Sequence, residues 1–316
     1  FFLHDDEGSE LLVIDHNPAP ALQSLELAPL KLLRIPDSDG FEMESMLIEP
    51  TSLEEGKRYP VYQYIYGGPH APRVTDRWSP GSSTKRHFFH QFLAQNGIGV
   101  WIVDNRTASG KGAVATRDVY RRFGETEMED INDGMEWLRR LAWVDPERIM
   151  ISGWSYGGFM TLYAMTRSEH YVAGIAGGPV TDWRDYDTIY TERYMGLPSD
   201  NADAYETSSP RFAAGAIHGK VLLIHGTIDD NVHMQNTMQM ALALQKAGKD
   251  FEMMLYPESR HSITDDQLQA HLYQTMWRFV REELLEESEN CEVKDVKAGQ
   301  VATPQPASRA ILLASP

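Results

Sequence analysis

A succession of short, continuous apolar runs separated by helical patterns restricts the fold of this chain more than any other feature. The runs are Val61–Tyr66, Ile98–Val103, Arg148–Ser152, Val172–Ala176, Val221–His225 and Phe251–Tyr256. Such runs are typical of strands that are buried on both faces of a parallel sheet. Between them apolar residues recur with helical spacing, as in Asp130–Leu141 and from about Thr264 to Leu284. With the shorter strands Lys31–Ile35 and Met43–Glu49, this alternation predicts a doubly wound, mostly parallel α/β sheet of about eight strands.

Composition excludes several classes of protein. The 316 residues are 42% hydrophobic and 24% charged, an ordinary balance for a folded domain with a substantial core. The net charge of −17 disfavours a nucleic acid as partner, because binding to phosphates needs clustered Lys and Arg. The sequence contains no run of 18 apolar residues, so no membrane segment is predicted. One cysteine excludes an internal disulfide.

The chain divides into three predicted regions. Residues 1–27 combine two short apolar stretches with the turn-forming sequence Asp5–Gly8, which predicts a β-hairpin. A hairpin is marginally stable alone, so we expect it to end a larger β-domain and the chain to be part of a longer protein. Residues 28–286 contain the α/β pattern. Residues 287–316 turn acidic and then rich in Ala, Pro and Ser, which predicts a disordered tail.

The strongest chemical motif is the sequence Gly-Trp-Ser-Tyr-Gly-Gly around Ser155. It lies after the predicted strand Arg148–Ser152 and before a helical run, which is the context of a nucleophile elbow. In such an elbow the serine projects its hydroxyl above the sheet from a tight turn, and the flanking glycines leave room for that turn. The motif therefore predicts that Ser155 is a nucleophile.

A serine nucleophile needs a base and an orienting carboxylate, which in α/β-hydrolases follow in the order serine, acid, histidine. Asp229 and Asp230 come directly after the strand Val221–His225, and His261 follows the next strand. Either aspartate can serve as the acid, but Asp229 is favoured by its spacing from the preceding His225-Gly226 pair. The sequence thus predicts a triad of Ser155, Asp229 and His261.

Several further stretches resemble one family of peptidases. These are Tyr66-Gly67-Gly68-Pro69, Asp104-Asn105-Arg106, Asp229–His233 and, most specifically, Trp183–Gly196. From about Leu30 to Leu285 the chain resembles the catalytic domain of the dipeptidyl peptidase IV group within the prolyl oligopeptidase family. The resemblance implies an α/β-hydrolase fold and hydrolysis of peptides through an acyl-enzyme.

The resemblance also implies roles that spacing alone does not assign. The oxyanion hole would be formed by the Tyr66 hydroxyl and the backbone N–H of Tyr156. The pocket for the residue before the cleaved bond would be lined by Val180, Trp183, Tyr186, Tyr190 and Val232. Asn231 would hold a substrate carbonyl. No metal or organic cofactor is implied.

In this group a β-propeller carries two glutamates that bind the free amino terminus of the substrate, and residues 1–27 would be the end of that propeller. The implied substrates are peptides with Pro or Ala second from the amino terminus. The implied partners are the peptide substrate, the remainder of the propeller and a second subunit in a homodimer, in a periplasmic or other extracytoplasmic compartment. The alternatives are a broader oligopeptidase, an acylaminoacyl peptidase or an esterase, and a catalytically silent binding module on the same fold.

Overall fold

A computed structural model describes residues 2–16, 20–23, 25–77, 83–108 and 110–285. The described residues fall into two compact units, one ending at Leu27 and the other beginning at Ala28. The predicted disordered tail, residues 287–316, lies outside the described residues. Within the described ranges, no helix is long and apolar enough to cross a membrane.

The smaller unit contains a β-hairpin where the sequence predicts one. Strands β1 (Phe2–His4) and β2 (Glu10–Val13) pair in antiparallel fashion, and a short helix α1 (Pro20–Gln23) follows. The Asp5 carboxylate accepts the backbone N–H groups of Glu7 and Ser9, which closes the turn between the strands. The assignment of this hairpin to a propeller stays a prediction.

The larger unit is built on one eight-stranded sheet. Its strands are β3 (Leu30–Pro36), β4 (Glu42–Ile48), β5 (Tyr59–Ile65), β6 (Gly99–Val103), β7 (Val144–Trp154), β8 (Ala173–Gly177), β9 (Lys220–Gly226) and β10 (Phe251–Tyr256). They lie in the order β10-β9-β8-β7-β5-β6-β4-β3. The pairs β3/β4 and β4/β6 are antiparallel, and all the others are parallel. The predicted α/β fold with a mostly parallel sheet is therefore confirmed.

Helices cover both faces of this sheet. They are α2 (Thr84–Gln95), α3 (Ala113–Arg117), α4 (Glu125–Arg139), α5 (Tyr156–Met165), α6 (Thr188–Met195), α7 (Ala202–Thr207), α8 (Gln235–Lys246) and α9 (Asp266–Leu284), with 3₁₀ helices at Trp183–Asp185 and Pro210–Ala216. On one face Leu93 of α2 and Phe279 of α9 belong to the same buried cluster. On the other face a second cluster includes Ile131 of α4, Phe159 of α5 and Met240 of α8. Burial on both faces explains why the central strands are apolar throughout.

Helix α4 begins five residues earlier than the sequence pattern predicts, at Glu125 rather than Asp130. Gly124 ends the preceding turn with φ of +91°, in the left-handed region that favours glycine. The Glu127 carboxylate accepts the backbone N–H of Gly124 at 3.0 Å and so caps the helix from inside its first turn. Because this first turn is held by polar groups, the apolar periodicity does not reveal it.

Candidate active site

The sharp turn between β7 and α5 holds Ser155 in a conformation that few residues adopt. Its φ is +64° and its ψ is −121°, and its backbone N–H donates to the Gly177 carbonyl at 2.8 Å. A Cβ atom on Gly153 would lie 2.3 Å from the carbonyl oxygen of Gly157, and one on Gly157 would lie 2.3 Å from that of Ile65. Both glycines are therefore required by close backbone approach, as a nucleophile elbow requires.

Two neighbouring loops bring an acid and a histidine together beside this turn. Asp229 follows β9 and His261 follows β10, and the Asp229 Oδ2 atom lies 2.7 Å from His261 Nδ1. The Trp154 indole N–H donates to the backbone carbonyl of His261 at 2.8 Å, which ties the histidine loop to the residue before Ser155. The His261 ring lies over Gly178, where a Cβ atom would be 3.2 Å from its Cε1. The structure, across the residues it describes, contains no hydrogen bond between the Ser155 hydroxyl and His261.

The buried Asp229 side chain is held by four groups. Its Oδ1 accepts the N–H groups of Asn231 and Val232, each at 2.9 Å, and its Oδ2 lies 3.2 Å from His225 Nε2. Burial would raise the pKa of Asp229, but the hydrogen bonds with His225 and His261 outweigh it and hold the pKa well below its usual range. Asp229 is therefore a carboxylate at neutral pH, suited to orient an imidazole.

The alternative acid, Asp230, points away from this pair. It is exposed and forms an ion pair with Arg260. The contact of His225 with Asp229 was not predicted from the sequence. His225 Nε2 also lies 2.8 Å from the Val232 carbonyl and its Nδ1 lies 2.7 Å from Thr237 Oγ1. The only signal for this second histidine was its position four residues before the acid, at the end of β9.

Tyr66 directly follows β5 and lies against the nucleophile. Burial raises the pKa of its phenol, and the nearby charge of Arg73 and a hydrogen bond with Ser155 offset part of that increase. The Arg73 guanidinium carbon lies 3.9 Å from the centre of the Tyr66 ring, within the range of a cation–π contact. The buried Asp104 carboxylate accepts the backbone N–H groups of Arg73 and Val74 and so holds the loop after Tyr66. No sequence signal indicated this role for Arg73.

Tyr156, the other predicted oxyanion donor, is the first residue of α5. A backbone N–H at that position has no partner within the helix, so it is available to a ligand. Its side chain is buried, and its hydroxyl donates to Glu127 Oε1 at 2.5 Å. Burial raises the pKa of Glu127 to about 7, although hydrogen bonds from Tyr156 and Gly124 oppose that shift. The sequence did not indicate Glu127.

The predicted pocket residues form a continuous aromatic group next to Tyr156. The Trp183 ring centre lies 5.3 Å from that of Tyr156, 6.0 Å from that of Tyr186 and 6.3 Å from that of Tyr190. The Tyr186 hydroxyl donates to Asn231 Oδ1 at 3.1 Å.

Two valines complete the predicted pocket set, and the structure buries both. Val180 and Val232 belong to the same buried cluster as Trp183. The residue after Val180, Thr181, donates its backbone N–H to Asn236 Oδ1 on α8 at 2.9 Å. For a metal, the described part of the chain contains no group of three or more His, Cys, Asp or Glu residues that could bind one.

An eight-stranded α/β sheet with a serine elbow and an acid–histidine pair at its carboxyl edge defines the α/β-hydrolase class. Comparison with known proteins then narrows the class. The model of the prolyl oligopeptidase family matches residues 85–287. The chain belongs to the prolyl oligopeptidase family of serine peptidases.

The relatives agree with this assignment. Human dipeptidyl peptidase 8 is 34% identical over 264 residues, which is 82% of this chain and 29% of that protein. Mouse prolyl endopeptidase FAP is 33% identical over 287 residues, or 89% of this chain and 37% of that protein. The crystal structure of Porphyromonas gingivalis dipeptidyl peptidase 4 superposes with a TM-score of 0.81 and 34% identity, covering 88% of this chain and 39% of that one. The chain thus spans about a third of the length of the curated relatives it matches.

Proposed function

We propose that the protein is a serine peptidase that releases dipeptides with Pro or Ala at the second position from the amino terminus of peptides. The observation that carries the proposal is the pairing of His261 with the ionised Asp229 beside a serine on a left-handed elbow. A serine hydroxyl is a weak nucleophile unless a base removes its proton, and a carboxylate-bound imidazole is such a base.

The reaction proceeds in two acyl transfers. Ser155 Oγ bonds to the carbonyl carbon of the scissile peptide while its proton passes to His261 Nε2, the ring nitrogen that does not face Asp229. The C–N bond then breaks, and the same proton passes from His261 to the departing amine. A water molecule repeats the sequence on the acyl-enzyme, so that the carboxylic acid leaves and Ser155 regains its proton.

Two donors stabilise the oxyanion in each step. In the sequence, Tyr66 precedes the nucleophile and follows β5, whereas Tyr156 comes directly after the nucleophile, which follows β7. Because negative charge on the carbonyl oxygen develops only as the Ser155 bond forms, donors at these positions bind the transition state more strongly than the substrate.

The aromatic group accounts for the proposed preference for proline. A flat, rigid pyrrolidine ring fits between planar aromatic walls such as Trp183, Tyr186 and Tyr190, which lie within 6.3 Å of one another between ring centres. Asn231 is exposed beside this group and is suited to hold a substrate carbonyl through its amide N–H, since its amide oxygen already accepts from Tyr186.

The dipeptide restriction depends on recognition of the substrate's free amino terminus. The family resemblance assigns that role to two glutamates of a propeller, of which residues 1–27 would be the end. A broader oligopeptidase or acylaminoacyl peptidase is the second candidate. The similarity to a prolyl endopeptidase at 33% identity favours it, because that relative's name describes internal cleavage.

The proposal is tested by comparing kcat/KM for Gly-Pro and Gly-Leu amides, and for free and acetylated Ala-Pro amides, in the complete protein. We expect at least about 10-fold faster cleavage after proline, because misfit in a pocket costs about 1–3 kcal/mol per methylene. We also expect acetylation to abolish cleavage. Equal rates for Gly-Pro and Gly-Leu contradict the proline preference, and cleavage of the acetylated substrate favours the second candidate.

A further inference from the structure

Behind the residue that follows the nucleophile lies a fully buried carboxyl group that the proposed mechanism does not use. Glu127, in the first turn of α4, has no exposed surface. Its Oε1 accepts the Tyr156 hydroxyl at 2.5 Å and its Oε2 accepts the Gly124 N–H at 3.0 Å. Both oxygens are thus occupied, one by the helix cap and one by the active-site segment.

Tyr156 joins two parts of the proposed site. Its backbone N–H is the predicted oxyanion donor, and its ring lies 5.3 Å from Trp183 and 6.1 Å from Tyr66, measured between ring centres. A shift of this side chain would therefore move a wall of the aromatic pocket and turn the backbone next to Ser155. Preorganised donors act only when they are held in the productive geometry before the charge develops.

Other contacts of the Tyr156 side chain, among the residues that the structure describes, are with aromatic rings. Phe123 and Phe159 pack edge-on against its ring, with centres 5.4 Å and 5.1 Å away. Contacts between aromatic rings are less directional than a hydrogen bond. They therefore fix the orientation of the Tyr156 side chain less well than its bond to Glu127 does. The carboxyl of Glu127 is itself held by the backbone N–H of Gly124. Position 124 requires glycine, because a Cβ atom there would lie 2.8 Å from the Tyr163 ring.

We propose that Glu127 is a positioning residue for catalysis: by binding the Tyr156 hydroxyl it holds both the oxyanion-donating N–H and the adjoining pocket wall in place. The inference rests on the proposed function only in requiring acyl transfer through Ser155. It does not require the preference for dipeptides or for proline.

The test compares Glu127→Gln, Tyr156→Phe and the double variant in the complete protein. Glu127→Gln keeps the volume and the acceptor for Gly124 but weakens the bond to the phenol. Tyr156→Phe removes the same bond from the other end and keeps the ring. The control is Glu129→Gln, which makes the same substitution at an exposed position on the same helix. Values of kcat are normalised to active sites counted by burst titration, so that loss of folded protein is not read as loss of catalysis.

We expect each single variant to lower kcat about 3- to 30-fold with less than about a 3-fold change in KM, a smaller loss than removal of a donor because the N–H is displaced rather than deleted. The double variant should lose no more kcat than the more impaired of the two single variants, because both changes break the same hydrogen bond. Glu129→Gln should match the unaltered protein. Both a Gly-Pro amide and a p-nitrophenyl acyl ester serve as substrates.

Unchanged kcat in Glu127→Gln, with or without lower stability, would overturn the inference, as would losses that multiply in the double variant. The ester separates this failure from failure of the proposed function. If the unaltered protein hydrolyses the ester but not the amide, the dipeptidase proposal fails, whereas the role of Glu127 is still decided by kcat for the ester.

Discussion

Tyr66 is the residue whose proposed role depends on a single atom, its hydroxyl oxygen. Burial raises the pKa of the phenol, so the group carries its proton throughout the neutral range and can donate it in a hydrogen bond. The stacked guanidinium of Arg73 and the loop bonds to Asp104 fix the ring beside Ser155. The side chain is therefore oriented before a substrate arrives, as a preorganised donor must be.

Removal of this hydroxyl by Tyr66→Phe should lower kcat about 10²- to 10³-fold with little change in KM, because the bond to the oxyanion is made chiefly in the transition state. Steady-state kinetics on a Gly-Pro amide measure both constants. Tyr120→Phe, at an exposed tyrosine, is the matched control and should leave both constants unchanged. Turnover of Tyr66→Phe at the rate of the unaltered protein would mean that the phenol has no oxyanion role.

The residues that could be predicted are those that follow a strand directly. Ser155, Asp229 and His261 each come within a few positions of an apolar run, so the sequence itself indicates that they lie at the carboxyl edge of the sheet. Glu127 and Arg73 have no such signal. A glutamate in a helical first turn is usually explained by the helix dipole, and its contact with Tyr156 exists only because α4 packs against α5.

Helix α4 carries a buried carboxyl, Glu127, whose ionisation is opposed by burial. The pKa of Glu127 is raised to about 7 from its ordinary value of 4.5, because burial and, to a smaller extent, nearby Asp130 outweigh the hydrogen bonds from Tyr156 and Gly124 that lower it. The tyrosines Tyr163 and Tyr190 also face this carboxyl, but both keep their protons at neutral pH because their pKa values are raised. Between pH 4.5 and pH 7 the folded chain therefore holds a proton at Glu127 that the unfolded chain has released.

The sign of the resulting pH dependence follows from this excess proton. Because the folded state binds more protons, the contribution of Glu127 to the free energy of unfolding falls as pH rises through this window. Glu127→Gln removes the titrating group, so its stability relative to the unaltered protein should rise by about 2–3 kcal/mol between pH 5 and pH 8. Urea denaturation at several pH values measures this difference.

Only the difference between the two proteins isolates Glu127, because other buried groups titrate nearby. Burial also raises the pKa of Asp104, to about 6, and lowers that of His90. As pH rises, the contribution of Asp104 to the free energy of unfolding falls and that of His90 rises. Glu129→Gln, the same substitution at an exposed position on α4, is the control for effects that do not involve the buried carboxyl. A difference between Glu127→Gln and the unaltered protein that stays constant from pH 5 to pH 8 would show that Glu127 ionises normally.

At the scale of the whole sheet, strand order explains how residues distant in sequence meet. Strands β10, β9, β8, β7 and β5 are parallel neighbours, so their carboxyl ends lie along one edge. Tyr66, Ser155, Asp229 and His261 all follow strands of this group. The alternation of apolar runs with helical patterns predicted the parallel sheet, but not the position of β6 between β5 and β4. The neighbours of a strand depend on long-range packing, which no single apolar run encodes.

The central claim is that Ser155 is a nucleophile activated by His261 and Asp229. Its most direct test is mass spectrometry of the complete protein after reaction with a Gly-Pro diphenyl phosphonate, which phosphonylates an activated serine. We expect one adduct per chain, mapped to Ser155 and absent from Ser155→Ala. Its rate of formation should fall at least about 100-fold in His261→Ala and Asp229→Asn. The control Ser199→Ala, at an exposed serine, should react normally. An adduct on another residue, or equal labelling of Ser155→Ala, would contradict the claim.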